Sequence, residues 1–165
     1  MFEAEKDKYL MKHGFGATRL KAVLFDMDGV LFDSMPNHAY SWSHAMTQFG
    51  LHITPEEAYM HEGRTGGGTI DLLAQRDWGR RATEEKQTIY KAKSDVFSRC
   101  PEAPRMPGAY ELLKKVKADG FTPMVVTGSG QVSLIDRLNH NFPSVFRRDL
   151  MVTSFDVKYG KPNPE

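Results

Sequence analysis

Short apolar runs of strand type alternate along the chain with segments of helical period. The three runs are residues 23–25 (Val-Leu-Phe), 122–126 (Thr-Pro-Met-Val-Val) and 150–153 (Leu-Met-Val-Thr). Runs this short and apolar are typical of parallel strands that are covered on both faces. Apolar residues spaced by three and four predict helices over residues 108–119 and 131–139, on either side of the second strand. This order predicts an α/β core built on a parallel sheet.

A long helical insertion separates the first strand from the rest of this core. Its strongest helix start is Thr54-Pro55-Glu56-Glu57, where a capping hydroxyl and a proline precede acids in the first turn. An insertion of roughly 70 residues is too long for a loop inside a compact domain, so we expect it to fold as a small domain. The pattern predicts four helices in it, over residues 37–49, 54–60, 69–78 and 83–99.

These patterns divide the chain into three predicted parts. Residues 35–105 form the helical insertion, which we call the cap, and residues 20–34 and 106–165 form the core. Residues 1–19 are expected to be a mobile or weakly attached tail, and they contain no apolar stretch of the signal-peptide kind.

Composition narrows the classes of function. The 165 residues carry 22 basic and 21 acidic side chains, a formal net charge of +1, which argues against a nucleic-acid-binding surface. The single cysteine, Cys100, excludes an intrachain disulfide and fits a reducing compartment, so we expect a cytoplasmic location. No apolar run approaches the roughly 18–20 residues that span a bilayer, so no membrane partner is expected.

Two carboxylates stand at the end of the first predicted strand. Asp26 ends the apolar run, Asp28 follows two residues later, and Gly29 allows the chain to turn sharply. Ligands of open α/β sheets collect at the carboxyl ends of the strands. Because residues i and i+2 of an extended segment point the same way, both acids can face one cavity. Two acids in such a place cost desolvation free energy unless a cation or a reaction uses them.

The segment FDMDGV, residues 25–30, resembles motif I of the haloacid dehalogenase (HAD) superfamily. The resemblance implies that Asp26 is a nucleophile that becomes an aspartyl-phosphate, that Asp28 is a general acid/base, and that Mg²⁺ lies between them and the phosphate. The chemistry agrees, because a carboxylate attacks phosphorus only when a cation neutralises the phosphoryl charge. The insertion after this motif resembles the cap of the β-phosphoglucomutase-like branch. The implied fold is a Rossmann-like α/β core with an inserted all-helical cap.

Two further segments resemble motifs II and III of the superfamily. The run PMVVTGS implies that Thr127 binds the phosphoryl group through its hydroxyl, and that Gly128 and Ser129 expose backbone N–H groups beside it. The run YGKPNP resembles GKPxP, which implies that Lys161 pairs with the nucleophile and the phosphoryl oxygens. Lys158 lies three residues earlier and also fits the need for positive charge, but the motif favours Lys161.

The cap supplies candidates of its own. His38 lies where β-phosphoglucomutase-like proteins carry a hinge histidine, although a histidine on a helix surface fits the sequence equally well. Glu62 and Arg64 lie in a loop that reaches the active site and sets specificity in this branch. Lys93 lies on the last cap helix, where mutases place a lysine on a distal phosphate, but a solvated lysine is the more frequent outcome on a helix.

Glu62 bears on the substrate class. A carboxylate in the cap loop repels a distal phosphate unless it holds Mg²⁺, and pyrophosphate arrives as a Mg²⁺ complex. The run EEAYMHEGRTG, with FDMDGVLF and PMVVTGSGQ, closely resembles a HAD-type inorganic pyrophosphatase, which adds Glu62 to Asp26 and Asp28 as a metal ligand. Mutases tend to carry Lys-Asn where this chain has Gly130-Gln131. The prediction is a Mg²⁺-dependent pyrophosphatase, with a β-phosphoglucomutase or a small sugar-phosphate phosphatase as the alternative.

A fourth superfamily motif, a strand ending in acids that complete the Mg²⁺ site, does not occur before Glu165. We therefore expect the chain to be a fragment of a longer protein, with a core that is incomplete at its C-terminus. An inactive fragment is a second alternative. The complete protein is expected to be a monomer that binds a small phosphorylated substrate or pyrophosphate.

Overall fold

Three parallel strands and seven α-helices make up residues 3–17, 19–130, 134–161 and 163, the part of the chain that the computed structural model describes. The strands are β1 (Ala22–Phe25), β2 (Thr122–Val126) and β3 (Met151–Val152). The helices are α1 (Glu3–His13), α2 (Met35–Met46), α3 (Pro55–Met60), α4 (Gly66–Asp77), α5 (Glu85–Phe97), α6 (Ala109–Ala118) and α7 (Leu134–Asn141).

The sheet has the order β1-β2-β3, and both pairs of strands are parallel. Ala22 pairs with Thr122, and Val125 of β2 pairs with Met151 of β3. The predicted α/β fold with a parallel sheet is confirmed. The third strand is shorter than predicted, because a 3₁₀ turn, Arg148–Leu150, takes up the start of its apolar run. All three strands end at one edge of the sheet, where the loops that follow them meet.

Buried apolar side chains form two separate clusters. The first lies between the sheet, α6 and the α7 region, and the second lies among the cap helices. Fully buried members of the first cluster include Phe32, Leu113, Val125, Leu138 and Phe142. Fully buried members of the second are Met46, Leu51, Ile70, Leu73 and Ile89. The boundaries of the two domains stay a prediction, since packing into clusters does not establish independent folding.

The first half of the cap follows the predicted helix signals closely. The side chain of Thr54 accepts a hydrogen bond from the Glu57 backbone N–H at 3.2 Å, and the Glu57 carboxylate accepts one from the Thr54 N–H at 3.0 Å. Helix α4 starts at Gly66, three residues before its predicted start. The reason is a second cap, because the Thr65 hydroxyl accepts a hydrogen bond from the Gly68 N–H.

Two features of the first 30 residues bear on the predictions. Part of the expected tail forms helix α1, which exposes Tyr9 and Met11; residues 1, 2 and 18 of that tail lie outside the described residues. Leu24 of β1 is 62% exposed, so the described residues leave one face of this strand open rather than covering both. Among the described residues, no helix is both long enough and apolar enough to cross a bilayer.

Candidate active site

The two motif I acids lie where β1 gives way to a tight turn. Asp26 follows the last strand residue and is half-buried, while Asp28 lies within the turn and is 6% exposed. The carbonyl of Met27 accepts hydrogen bonds from the backbone N–H groups of Leu31 and Phe32 at 2.9 and 3.1 Å, which closes the turn. Met27 is fully buried in the core. The alternation of acid, buried methionine and acid therefore places both carboxylates on the side away from the core.

Asp26 forms an ion pair with Lys161 across the ends of the strands. The Lys161 ammonium lies 2.9 Å from Oδ1 of Asp26 and also donates to the backbone carbonyl of Val126 at 3.3 Å. Lys158, the other lysine considered, instead places its ammonium 5.3 Å from the centre of the Tyr159 ring. The structure therefore brings Lys161, rather than Lys158, to Asp26. The two prolines of the same motif, at positions 162 and 164, lie outside the described residues.

Asp28 is held by two side chains on the approach to α2. The Ser34 hydroxyl donates to Oδ1 of Asp28 at 2.5 Å, and Nε2 of His38 lies 3.2 Å from the same oxygen. This Nε2 atom is buried and does not meet the geometric criteria of a hydrogen bond to the carboxylate. Burial acts to raise the pKa of Asp28, but His38 and then Ser34 outweigh it, so the pKa lies below its usual value.

Ser34 is a site residue that the sequence reasoning missed. It occupies the N-cap position of α2, yet its hydroxyl makes no capping hydrogen bond to that helix. The hydroxyl is used on Asp28 instead. A serine just before a proline-containing first turn is the pattern of an ordinary helix cap, so the sequence gives no separate signal for this role.

A buried lysine lies behind His38. The Lys93 ammonium is 2.9 Å from Nδ1 of His38, and it faces the rings of Phe97 and Trp42 at 4.6 and 5.4 Å from their centres. Burial lowers the pKa of Lys93 to about 8, although the negative charge of Asp28 acts in the opposite direction. The expectation of a solvated lysine was therefore wrong at this position, because Lys93 is only 5% exposed.

Helical spacing explains which lysine of α5 is buried. Lys93 follows the fully buried Ile89 by four residues and so lies on the same face of the helix. Lys91 points outward and pairs with Asp95 at 2.6 Å. His38, placed four residues after Ser34 at the start of α2, likewise faces the acid rather than solvent, so the surface alternative for it is also wrong.

The loop between α3 and α4 brings Glu62 and Arg64 over the acids. Burial of its carboxyl group raises the pKa of Glu62, a hydrogen bond from the Gly63 backbone opposes this, and the charges of Asp28 and Asp26 raise it further. Glu62 is nonetheless largely exposed as a side chain, and Arg64 is exposed as well. The structure therefore places this loop at the mouth of the site, within electrostatic reach of the acid pair.

The turn after β2 forms the opposite wall. Thr127 is buried, its N–H donates to the Val152 carbonyl at 2.9 Å, and its hydroxyl accepts from the Ser129 N–H at 3.0 Å. The Ser129 N–H is therefore occupied within this turn. A Cβ atom added to Gly128 would lie 3.2 Å from the carbonyl oxygen of Arg64, so the cap loop rests directly on this turn.

A second glycine makes the same kind of contact. A Cβ atom at Gly160 would lie 2.5 Å from Cγ2 and 3.0 Å from the backbone nitrogen of Thr65. The cap loop thus closes against two core loops whose glycines leave room for its backbone. A cavity of about 850 Å³, partly open to solvent, lies between the cap and the core. Its lining includes Asp28, His38, Glu62, Arg64, Lys93, Gly128 and Ser129.

The acid pair fits a divalent cation that binds together with a phosphate. Mg²⁺ takes oxygen ligands, and proteins usually hold it through one or two carboxylates plus the oxygens of a bound phosphate. Asp26 and Asp28 supply two carboxylates at one strand end. Within the described part of the chain, however, no three His, Cys, Asp or Glu side chains are grouped so as to hold a metal ion. The predicted set of Asp26, Asp28 and Glu62 therefore does not form a three-residue metal cluster.

Comparison with known proteins agrees with this architecture. A solved structure from Bacteroides vulgatus, provisionally named a beta-phosphoglucomutase, is 60% identical and superposes with a TM-score of 0.93. The match covers 99% of this chain and 66% of that one. Hexitol phosphatase A of Escherichia coli (strain K12) is 29% identical over 149 residues, and the 6-phosphogluconate phosphatase of the same organism is 28% identical over 155 residues.

Each of these two alignments covers 89% of this chain, and the chain spans 65% of the length of either relative. The predicted membership of the superfamily and the likeness to its β-phosphoglucomutase-like branch are confirmed. The family model of haloacid dehalogenase-like hydrolases matches residues 20–165. The chain therefore belongs to the haloacid dehalogenase-like hydrolases.

Proposed function

We propose that this site hydrolyses a phosphate ester or anhydride through a covalent intermediate on Asp26. The observation that carries the proposal is the ion pair of Asp26 with Lys161 at a strand end, two residues before Asp28, an acid that lines the cavity. A half-buried carboxylate paired with a lysine can accept a phosphoryl group, because the ammonium neutralises charge on both reactants. Mg²⁺ held by Asp26 and Asp28 would supply the remaining positive charge when it is bound.

The proposed chemistry has two steps. A carboxylate oxygen of Asp26 attacks phosphorus, the bond from phosphorus to the leaving oxygen breaks, and Asp28 gives that oxygen its proton. Water then attacks the phosphorus of the aspartyl-phosphate, Asp28 takes the proton from the water, and inorganic phosphate leaves with Asp26 restored. The pKa of Asp28 is low in the empty site. The negative charge of an approaching phosphoryl group raises it, which favours the protonated acid when it is needed.

Surrounding groups hold the reactants in this scheme. Lys161, which pairs with Asp26, would contact the phosphoryl oxygens, and the buried Thr127 lies at the end of the neighbouring strand. His38, backed by Lys93, fixes the position of Asp28. We propose that residues 35–105 act as a cap that opens for the substrate and closes to exclude bulk water.

The proposed substrate class is a small phosphorylated carbohydrate. Two relatives carry names of this kind, a hexitol phosphatase and a 6-phosphogluconate phosphatase. No comparison points to pyrophosphate specifically, so the alternative substrate class of the sequence analysis has better support than its first choice. A cytoplasmic location and a monomeric state stay predictions from the sequence.

Pyrophosphate is kept as a second candidate because of Glu62. Its carboxylate interacts with the charges of Asp28 and Asp26, and this excess of negative charge is unfavourable for a bare distal phosphate. A substrate that arrives with its own divalent cation would remove the repulsion. The two candidate substrates therefore differ in their dependence on Glu62: hydrolysis of pyrophosphate should need this carboxylate, and hydrolysis of a sugar phosphate should not.

A substrate panel with two variants tests these proposals. Wild-type protein, Glu62→Gln and Asp26→Asn are assayed with Mg²⁺ on pyrophosphate, hexitol phosphates and hexose phosphates, and phosphoryl transfer to the protein is followed by intact mass. We expect hydrolysis of the sugar esters, an added phosphoryl group in wild type, and neither in Asp26→Asn. Asp33→Asn is the matched control, because Asp33 is exposed on the same segment.

The outcomes separate the candidates. Faster hydrolysis of pyrophosphate than of every sugar ester, lost on substitution of Glu62 by Gln, would favour the second candidate. Full activity in Asp26→Asn would contradict the covalent scheme for either substrate.

A further inference from the structure

The cavity continues past the acids to a wall that the proposed chemistry leaves unused. This hinge-side wall lies between the end of the cap, around Pro101 and Glu102, and Asp136 and Arg137 of α7 in the core. Asp28, Gly128 and Ser129 line the same cavity, so a molecule held at the acids can extend to this wall. A volume of about 850 Å³ has room for a leaving group much larger than a second phosphate.

Arg137 is the cation of this wall. Its guanidinium carbon lies 4.0 Å from the centre of the Phe32 ring, which is fully buried just after motif I. Its Nε is buried and donates to no acceptor, and the guanidinium pairs with no carboxylate among the described residues. Since Nε itself is closed off, the terminal N–H groups are the part of Arg137 that can meet a ligand in the cavity that this side chain lines. A guanidinium group without a carboxylate partner favours a ligand that brings an anionic acceptor.

The acids nearby do not supply that acceptor. Glu102 is exposed and its Oε1 accepts a hydrogen bond from the Asn141 side chain at 3.3 Å. Asp136 is exposed in the first turn of α7. Both carboxylates line the cavity beside Arg137 without pairing with it. The wall therefore offers one planar cationic donor together with two acceptors, a set that suits a leaving group bearing both an anion and hydroxyl groups.

We propose that Arg137 binds the carboxylate of a polyhydroxy-acid leaving group, so that the preferred substrate is the phosphate ester of a sugar acid. This inference rests on the proposed function and names its substrate class. The flat guanidinium, held against Phe32, presents parallel N–H donors that match a carboxylate in a bidentate geometry. Glu102 and Asp136 accept hydrogen bonds from hydroxyl groups along the chain of the same leaving group.

The test uses two esters that differ at one end. Gluconate 6-phosphate and sorbitol 6-phosphate share their carbon chain and their phosphate, but the first ends in a carboxylate and the second in an alcohol. We expect wild-type protein to show a KM at least about tenfold lower for the gluconate ester. Arg137→Met should bring this ratio of KM values close to one. Arg137→Lys should leave an intermediate ratio, because lysine keeps the positive charge but lacks the paired N–H donors of the guanidinium group.

Arg147→Met is the matched control. Arg147 is exposed and pairs with Asp149 away from the cavity, so its loss should leave the ratio of KM values unchanged. A merely structural Arg137, serving only to clamp Phe32, would lower the unfolding temperature on substitution and leave the ratio as it was. An equal KM for both esters in wild type, or an unchanged ratio in Arg137→Met, would overturn the proposal.

Binding measured without turnover separates this proposal from the proposed function. Calorimetric titration gives a Kd for each ester in wild type and in Arg137→Met. Suppose that neither ester is hydrolysed, but that wild type binds the gluconate ester at least about tenfold more tightly than the sorbitol ester and Arg137→Met does not. Arg137 then binds the carboxylate as proposed, and the hydrolytic proposal fails. If both esters are hydrolysed without a difference in KM or Kd, the hydrolytic proposal stands and the role of Arg137 is refuted; if neither ester binds, that role is likewise refuted.

Discussion

The ammonium group of Lys93 lies 2.9 Å from Nδ1 of His38, so a buried cation and a histidine meet directly behind the acid Asp28. An ammonium group can only donate, so Nδ1 accepts and the ring proton lies on Nε2. Nε2 is the atom that faces Asp28 at 3.2 Å. The lysine thus selects the tautomer of His38 that carries its proton on the side of the Asp28 carboxylate.

Stability should depend on pH through Lys93. Its pKa falls from 10.5 to about 8 on folding, so between these values the unfolded chain binds more protons than the folded one. The free energy of unfolding therefore rises as pH increases through this window. From about pH 7 to about pH 9.5 we expect a gain of about 2 kcal/mol in wild type relative to Lys93→Met.

Denaturant unfolding at the two pH values measures this difference. Lys91→Met serves as the control, because Lys91 lies on the same helix and is exposed. A wild-type gain no larger than that of Lys93→Met would show that Lys93 keeps an ordinary pKa.

The pKa of Asp28 should rise when His38 is replaced. Burial raises this pKa, and His38 is the largest of the opposing influences. In His38→Gln the Ser34 hydrogen bond is left to oppose burial, so the carboxyl group should titrate at a higher pH than in wild type. Carbon NMR of the Asp28 carboxyl group follows the titration directly. His44→Gln is the control, since His44 is exposed and stacks on Tyr40.

The same change has a stability consequence of known sign. A carboxyl group whose pKa is lowered on folding stabilises the protein above its unfolded pKa, and this stabilisation is lost as pH falls through the lowered value. His38→Gln should therefore lose less stability on acidification than wild type. An Asp28 titration identical in the two proteins would contradict the assigned role of His38.

The two lysines near motif III should differ sharply in their effect on turnover. Lys161→Met removes the cation 2.9 Å from Asp26, and we expect kcat/KM to fall by about a hundredfold to a thousandfold. Lys158→Met removes a lysine that lies over Tyr159 and should change kcat/KM by less than about threefold. Steady-state kinetics on the best substrate of the panel compares the two variants. Equal losses in both would show that the ion pair with Asp26 is not specific to Lys161.

A methyl group at Gly160 should keep the cap from closing. Gly160→Ala places Cβ 2.5 Å from Cγ2 of Thr65, closer than real atoms pack, so the cap loop must move away. We expect kcat/KM to fall by about tenfold to a hundredfold with little change in stability. Gly16→Ala is the control, because a Cβ there meets no atom within 4 Å. Turnover unaffected in Gly160→Ala would show that the contact with Thr65 is not needed for closure.

The sequence alone was sufficient to predict those features of the fold and the site that a few neighbouring residues determine. The apolar run before Asp26 placed that acid at a strand end, and the Thr54 capping box placed the start of α3. Both features are decided within a few neighbouring residues. The pairing of Asp26 with Lys161 was implied by the resemblance of YGKPNP to motif III, and the parallel sheet is what brings the two loops to one edge.

Longer-range contacts could not be read in the same way. Lys93, Ser34 and Arg137 depend on how the cap and α7 are placed against the turn after β1, and no period or motif in the sequence contains that placement. Their local patterns point elsewhere, to a solvated lysine, a helix cap and a surface arginine. The uncovered side of β1 at Leu24 was missed for a similar reason, because an apolar run specifies a preference for burial but not which neighbours are present to provide it.

The cap loop approaches the core closely at two core glycines. Gly128 meets the carbonyl of Arg64, and Gly160 meets the methyl group and the backbone nitrogen of Thr65. These contacts do not involve the side chains of Glu62 and Arg64, so substitutions at these two positions leave the contacts in place. Evolution or engineering can therefore exchange these two residues to suit a new ligand without changing how the cap loop packs on the core.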